Sequence, residues 1–190
     1  MGNKIYIATV AEKGAGKGLF VDIITRLLPE RRVVMIRSSD PWREILHILA
    51  KDESRDNISL LATAIRNAFH DDGILVPVMR NRLRTIDADV VILDGLRKPE
   101  ELSLVRELGG MIVYIAAHPK IRFERRSRRA ETTDEQGMTW EQFMRQEQAA
   151  TETSIRAMGE TMADARIENN GTREEFEKAI KKFLHEHDIA

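Results

Sequence analysis

"TVAEKGAGKGLF" (residues 9–20) closes a short apolar run, KIYIATV (4–10), and opens an amphipathic stretch, GKGLFVDIITRLL (16–28). The run is rich in β-branched residues, as a buried strand is, and the stretch repeats its apolar residues at helical spacing. Gly14, Gly16 and Gly18, with Lys13 and Lys17, therefore fall where a strand hands over to a helix. Glycine lets the backbone turn its N–H groups inward, and a helix start adds partial positive charge. That combination makes a phosphate cradle. A basic turn with no ligand is the plainer alternative, and the rest of the chain decides between them.

Three further runs, RVVMI (32–36), DVVILDG (89–95) and MIVYIAA (111–117), read as buried strands. Helical patterns lie between them: PWREILHILA (41–50), SLLATAIRNAF (59–69), GILVPVMRNRLRTI (73–86) and KPEELSLVRELGG (98–110). HPKIRFERRSRR (118–129) starts another helix, and TREEFEKAIKKFLHEH (172–187) is the last, with Thr172 as its N-cap and Glu175 three residues on. Continuously apolar strands alternating with helices predict an α/β fold whose central parallel sheet is covered on both faces. RAETTDEQGMT (129–139) is polar and aperiodic, and is expected to be a mobile loop.

The 190 residues are 42% apolar and 32% charged, the balance of one globular domain. A net charge of −1 provides no basic field to hold a nucleic-acid polymer, so anion binding must be local. The absence of cysteine excludes disulfides, thiolate metal sites and a cysteine nucleophile. No run reaches membrane length and no signal-peptide pattern is present, so no membrane partner and a cytoplasmic location are expected. The five histidines show no metal-ligand spacing apart from His185 and His187, which suit a helix end, and no zinc is expected.

Residues 11–18, AEKGAGKG, approach the P-loop pattern G-x-x-x-x-G-K-[ST], with Ala11 at the first glycine and Gly18 where Ser or Thr would bind magnesium. In that pattern Lys17 reaches the outer phosphates. "GAGKG" resembles the P-loop of adenylate kinases and related nucleoside monophosphate kinases, where Gly follows Lys and Thr usually comes next; Leu19 holds that last place here. The resemblance implies ATP and Mg²⁺, with phosphate contacts from Lys13, Gly14, Ala15, Gly16, Lys17, Gly18 and Leu19.

Asp94 ends a buried strand, where parallel sheets bind ligands, and beside a P-loop it would hold Mg²⁺ through water. LDGLRKPEEL (93–102) resembles the LDGFPRT segment of adenylate kinases, which implies that Arg97 contacts the acceptor phosphate; it also looks like the DVRFPNE segment of viral deoxynucleoside monophosphate kinases. Ser39-Asp40-x-x-Arg43 resembles the acceptor motif TGDMLR. Asp40 is expected to cap the next helix and Arg43 to point at the cleft, one turn in. Arg37, at the strand end, is a lesser candidate.

Arg122, Arg125, Arg126, Arg128 and Arg129 crowd one segment. On a helix, 122, 125 or 126, and 129 share a face, where stacked like charges repel unless an anion lies among them; a solvated basic surface relieved by Glu124 and Glu131 is the alternative. The spacing Arg125-x-x-x-Arg129 resembles the paired arginines before the lid of nucleoside monophosphate kinases, which implies that both neutralise the transferring group. Residues 126–148 would form that lid, with Arg145 approaching on closure. MADARIENNGTREEFEKAI (162–180) resembles the segment of dephospho-coenzyme A kinases that flanks adenine, with Asn169, Asn170 and Gly171 at its turn, of which Asn170 is the expected nucleotide contact; an Asn-Asn-Gly turn without a ligand is the alternative. Residues 94–184 also resemble uncharacterised archaeal nucleotide-kinase-like proteins, with DG-x-R, RFER and TWEEF elements in the same order.

These readings predict a P-loop NTPase fold with a helical acceptor-binding insert at about 41–86 and a small lid at about 126–148. The expected reaction is transfer of the ATP γ-phosphoryl group to a small phosphorylated acceptor, first a nucleoside or deoxynucleoside monophosphate. Dephospho-coenzyme A is the alternative acceptor. Ala11, Gly18 and Leu19 motivate a different alternative, an ATP-binding regulator that transfers nothing.

Overall fold

The four apolar runs are strands, and a fifth joins them. The computed structural model describes residues 4–129 and 137–189. Strand β1 (Ile5–Val10) leads to helix α1 (Lys17–Leu27), then β2 (Val33–Arg37). Three helices follow, α2 (Asp40–Ile48), α3 (Arg55–Phe69) and α4 (Val76–Thr85), before β3 (Val90–Asp94) and α5 (Pro99–Glu107). The remainder runs β4 (Met111–Ala116), α6 (Pro119–Arg129), α7 (Trp140–Glu147), α8 (Ala150–Met162), β5 (Ala165–Glu168) and α9 (Arg173–Glu186).

The strands form one parallel sheet in the order β2-β3-β1-β4-β5. Alternation along each strand builds a core on either face. On one face Ile7, Val90, Ile92, Val113, Ile115 and Ile167 pack with Phe20, Ile23 and Ile24 of α1 and Phe176, Ile180 and Phe183 of α9. On the other, Ala8, Val10, Val91, Leu93, Ile112 and Tyr114 meet residues of α2 to α5 and α8. The chain leaves β1 toward β2, and later crosses from β3 to β4 past it. The carboxyl ends of β1 and β3 therefore lie at the reversal of strand order, where open α/β sheets bind ligands.

The expected cap of the last helix is present: Thr172 accepts from Glu175 N, and Glu175 reaches back to Thr172 N. The expected Asp40 cap is not. Asp40 is the first residue of α2, its N-cap is Ser39, and its carboxylate turns back to accept from Arg37 N at 3.1 Å. Helix α8 has no counterpart in the sequence reading. Residues 130–136, most of the predicted loop, lie outside the described residues, as does the Arg129 side chain.

Candidate active site

The loop from β1 to α1 bends through two left-handed glycines, Gly14 at φ 82° and Gly16 at φ 108°. Neither tolerates a side chain. A Cβ on Gly16 would lie 2.3 Å from Asn169 Nδ2, and one on Gly14 would lie 2.9 Å from the Arg122 carbonyl oxygen. Gly16 caps α1 without a side-chain hydrogen bond, so the first amides of that helix stay open to an anion. The loop carbonyls are tied off from behind: Arg122 Nη1 donates to Lys13 O at 3.3 Å, and Asn169 Nδ2 donates to Ala15 O at 2.8 Å. Ala15 N donates to Glu12 O at 3.2 Å, and the other amides of the loop remain for the cradle.

Lys17 and Asp94 meet at the mouth of this loop. Lys17 Nζ lies 3.3 Å from Asp94 Oδ1, and Thr9 Oγ1 donates to the same oxygen at 3.1 Å. Thr9 and Asp94 face each other in the β1–β3 register. Oδ2 accepts no hydrogen bond among the described residues. Gly18 is exposed, and an added Cβ would meet nothing within 4 Å, so its lack of a side chain is not a steric requirement. Leu19 turns away and packs against the apolar cluster under α1 and α9. Lys13 also points elsewhere, 3.4 Å from the buried carboxylate of Glu152.

Arg125 Nη2 donates to Asn169 Oδ1 at 3.1 Å, while its Nη1 is buried with no hydrogen-bond partner. Burial lowers the Arg125 pKa. Asn169 thus joins Arg125 to the P-loop. Asn170, picked from the sequence, is exposed, and its side chain is used locally: it accepts from His118 N at 2.7 Å and donates to Glu168 at 2.8 Å. Strand alternation marks the difference, since Asn169 follows buried Ile167 by two and shares its face.

The crowded arginines find protein partners. Arg122 is buried and donates to both oxygens of Glu147, at 2.8 Å from Nη1 to Oε1, with its Nη2 3.8 Å from Glu12. Glu12, itself buried in the P-loop, accepts from Tyr114 Oη at 2.9 Å and from Arg156 Nε at 3.1 Å. Burial first, and Glu12 second, raise the Tyr114 pKa, which keeps the phenol a donor. Arg126 is buried, donates to Gln146 and lies 5.7 Å over the Phe143 ring. Arg122 therefore needs no ligand anion, contrary to the argument from stacked charge. Arg145 is exposed on α7.

On the acceptor side two of the three expected residues are engaged with protein partners. Arg43 Nη1 lies 3.6 Å from Glu53 Oε2 and is spent on that partly exposed pair. The Arg97 guanidinium makes no hydrogen bond or ion pair among the described residues, while its backbone N–H donates to Glu101 at 2.7 Å. Asp40 is engaged with the Arg37 amide, as above. Ser38 Oγ donates to the Gly95 carbonyl and ties the end of β2 to the Asp94–Arg97 loop. No cluster of three or more His, Asp or Glu with metal-holding geometry occurs among the described residues. None of the described helices is long and apolar enough to cross a membrane.

No protein-family model matches the chain. A shikimate kinase from Bacteroides thetaiotaomicron superposes with a TM-score of 0.61 at 18% identity, covering 97% of this chain and 98% of that one. A gluconokinase from Sinorhizobium meliloti gives 0.52 at 11% identity, covering 99% and 98%. The fold is that of the P-loop kinases. In sequence, a UPF0200 protein of Hyperthermus butylicus is 25% identical over 185 residues, 96% of this chain and 94% of the relative. A UPF0200 protein of Saccharolobus islandicus is 31% identical over 174 residues, 89% of this chain and 86% of its own. With that identity sustained over most of both chains, this protein belongs to the UPF0200 family.

Proposed function

We propose that the protein is a small-molecule kinase that transfers the γ-phosphoryl group of ATP to a nucleoside or deoxynucleoside monophosphate. One observation carries the reading: Lys17 and Asp94 stand 3.3 Å apart at the reversal of strand order, beside a glycine loop whose Lys13 and Ala15 carbonyls are held by Arg122 and Asn169. The fold shared with kinases supports it. Helices in 41–86 would form the acceptor side, and 126–148 the lid.

Lys17 and the loop amides would hold the outer phosphates, with Gly14 and Gly16 giving the backbone its close approach. Asp94 suits Mg²⁺: it is a hard oxygen donor, its side chain is 18% exposed, and Oδ2 is open to a hydrated ion. Bound Mg²⁺ would supply charge to offset that of the phosphates. Arg125 would stabilise the transferring group, with Arg129 the second proposed arginine. Arg97 would hold the acceptor phosphate; Asp40 and Arg43 would join it only by exchanging the partners they now have. Positioning and charge supply the catalysis, and no covalent intermediate is required.

The test is ADP formation with ATP and Mg²⁺ against every ribo- and deoxyribonucleoside monophosphate and dephospho-coenzyme A. One acceptor raising the rate by about 10-fold or more over the acceptor-free rate is the expected result. A flat panel overturns the reading. A non-catalytic ATP-binding role draws on Leu19, which brings no hydroxyl to that position and packs, partly buried, against the α1–α9 cluster; it predicts ATP binding with a flat panel.

A further inference from the structure

A buried ion pair lies beneath the Arg97 loop and has no part in the scheme above. Glu101 is fully buried, at the third position of α5. A Glu there in an exposed helix reaches back to the N-cap amide. In this chain one oxygen accepts from the N–H of Arg97, at 2.7 Å, one residue before the N-cap Lys98, whose own N–H also draws on the carboxylate. The other accepts from Arg66 Nη2 of α3 at 3.0 Å. The Arg66 guanidinium lies 5.7 Å over the ring of Trp42 in α2, and its Nε is buried with no hydrogen-bond partner.

Stability alone is a weak reason for this arrangement. Burying Glu101 fully and Arg66 in large part costs desolvation that their attraction need not repay, and an exposed Glu would cap the helix as well. Burial raises the Glu101 pKa, against the opposing pull of the Arg97 amide and Arg66. What the pair achieves is connection. It joins α2 and α3, on the acceptor side, to the backbone of an arginine whose own guanidinium is unspent among the described residues.

We infer that Glu101 is a positioning residue for Arg97, and that Arg66 couples the placement of α2 and α3 to it. The functional half of this inference rests on the reading of Arg97 as the acceptor-phosphate ligand; the structural half does not.

Two measurements on Arg66→Met and Glu101→Gln, with thermal unfolding as a check of folding, test it. The first is amide hydrogen exchange over residues 95–98 of the protein alone. Arg66→Met is expected to speed exchange of the Arg97 amide by about 10-fold, with β3 unchanged. Unaltered protection overturns the inference whether or not the protein is a kinase. The second is steady-state kinetics with ATP·Mg²⁺ and the panel monophosphate the wild type uses best. The acceptor KM should rise by about 10-fold, with the ATP KM moving by less than about twofold. Adding Arg66→Met to Arg97→Ala should cost nothing more, because the effect runs through Arg97. Additive losses overturn the inference. A flat panel refutes the kinase reading, and the exchange result then decides the positioning role alone. If Glu101→Gln does not fold, Arg66→Met suffices, since the carboxyl it strands can take a proton.

Discussion

The Lys17 ammonium nitrogen stands 3.3 Å from Asp94 Oδ1, joining the first residue of α1 to the last of β3. The two side chains are 25% and 18% exposed. Both are partly buried yet reachable from solvent, so a phosphate group can compete for the lysine. In stability such a pair is worth on the order of 1 kcal/mol or less. In catalysis, removing a fixed cation from a developing negative charge costs about 10²–10³-fold.

Lys17→Met should accordingly fold like the wild type and lose turnover. The expected result is a melting temperature within about 4 °C of wild type and kcat lower by about 10²–10³-fold. Thermal unfolding and ADP-formation assays check the two halves separately. A variant that keeps its turnover removes Lys17 from the chemistry.

Asn169→Leu should weaken both fold and site. The substitution deprives the Ala15 carbonyl and Arg125 of buried partners. Each lost partner costs about 1–3 kcal/mol. The melting temperature should fall by several degrees, roughly 2–4 °C for each kcal/mol in a chain of this size. Calorimetric titration with ATP·Mg²⁺ should show weaker binding as the P-loop carbonyl swings free. Asn170→Leu, which removes only the exposed hydrogen bonds to His118 N and Glu168, should bind ATP as the wild type does.

Much of this site was legible because its parts are local. The strand and helix patterns around 9–20 place Lys17 at a helix start, and the apolar run before Asp94 puts that carboxylate at a strand end. Both signals sit within a few residues of the groups they locate. Asn169 and Asn170 stand side by side at the turn in sequence, and only the face each takes after the four-residue β5 separates the buried one from the exposed one. The Glu12–Arg122–Glu147–Arg156 network was not legible, since its members come from the P-loop, α6, α7 and α8 and meet only in the folded chain. The arginine cluster consequently read as waiting for an anion when Arg122 already had Glu147. Helix α8 went unread because threonines, a serine and Gly159 dilute its periodicity.

Gly159 has a packing reason. A Cβ at that position would lie 2.5 Å from Cδ2 of Tyr114, so α8 rests its glycine on the β4 tyrosine ring. Gly159→Ala should therefore destabilise by about 1–3 kcal/mol through overpacking, although alanine is the better helix former. Chemical denaturation reads this directly. A stabilised variant would mean that α8 does not seat as described.

Glu101 makes stability pH-dependent in a direction opposite to most carboxylates. Its pKa in the fold is raised by burial above the ordinary 4.5, while the unfolded chain keeps the ordinary value. The folded state thus holds the proton more tightly. The Glu101 contribution is complete below the ordinary value and is lost as pH rises through the raised one. Glutamine mimics the neutral carboxyl. The stability of Glu101→Gln relative to wild type should therefore increase between pH 4 and pH 7, as followed by denaturant midpoints. A difference flat in pH would mean that Glu101 titrates normally.

The most direct measurement follows the phosphoryl group itself. The protein is incubated with Mg²⁺, ATP labelled at the γ-phosphate and each panel acceptor, and the products are separated by chromatography. The proposed kinase would place label on one nucleoside or deoxynucleoside monophosphate, as the diphosphate, and Lys17→Met would lose it. Label found only in inorganic phosphate, or retained on bound ATP with every acceptor, would contradict it.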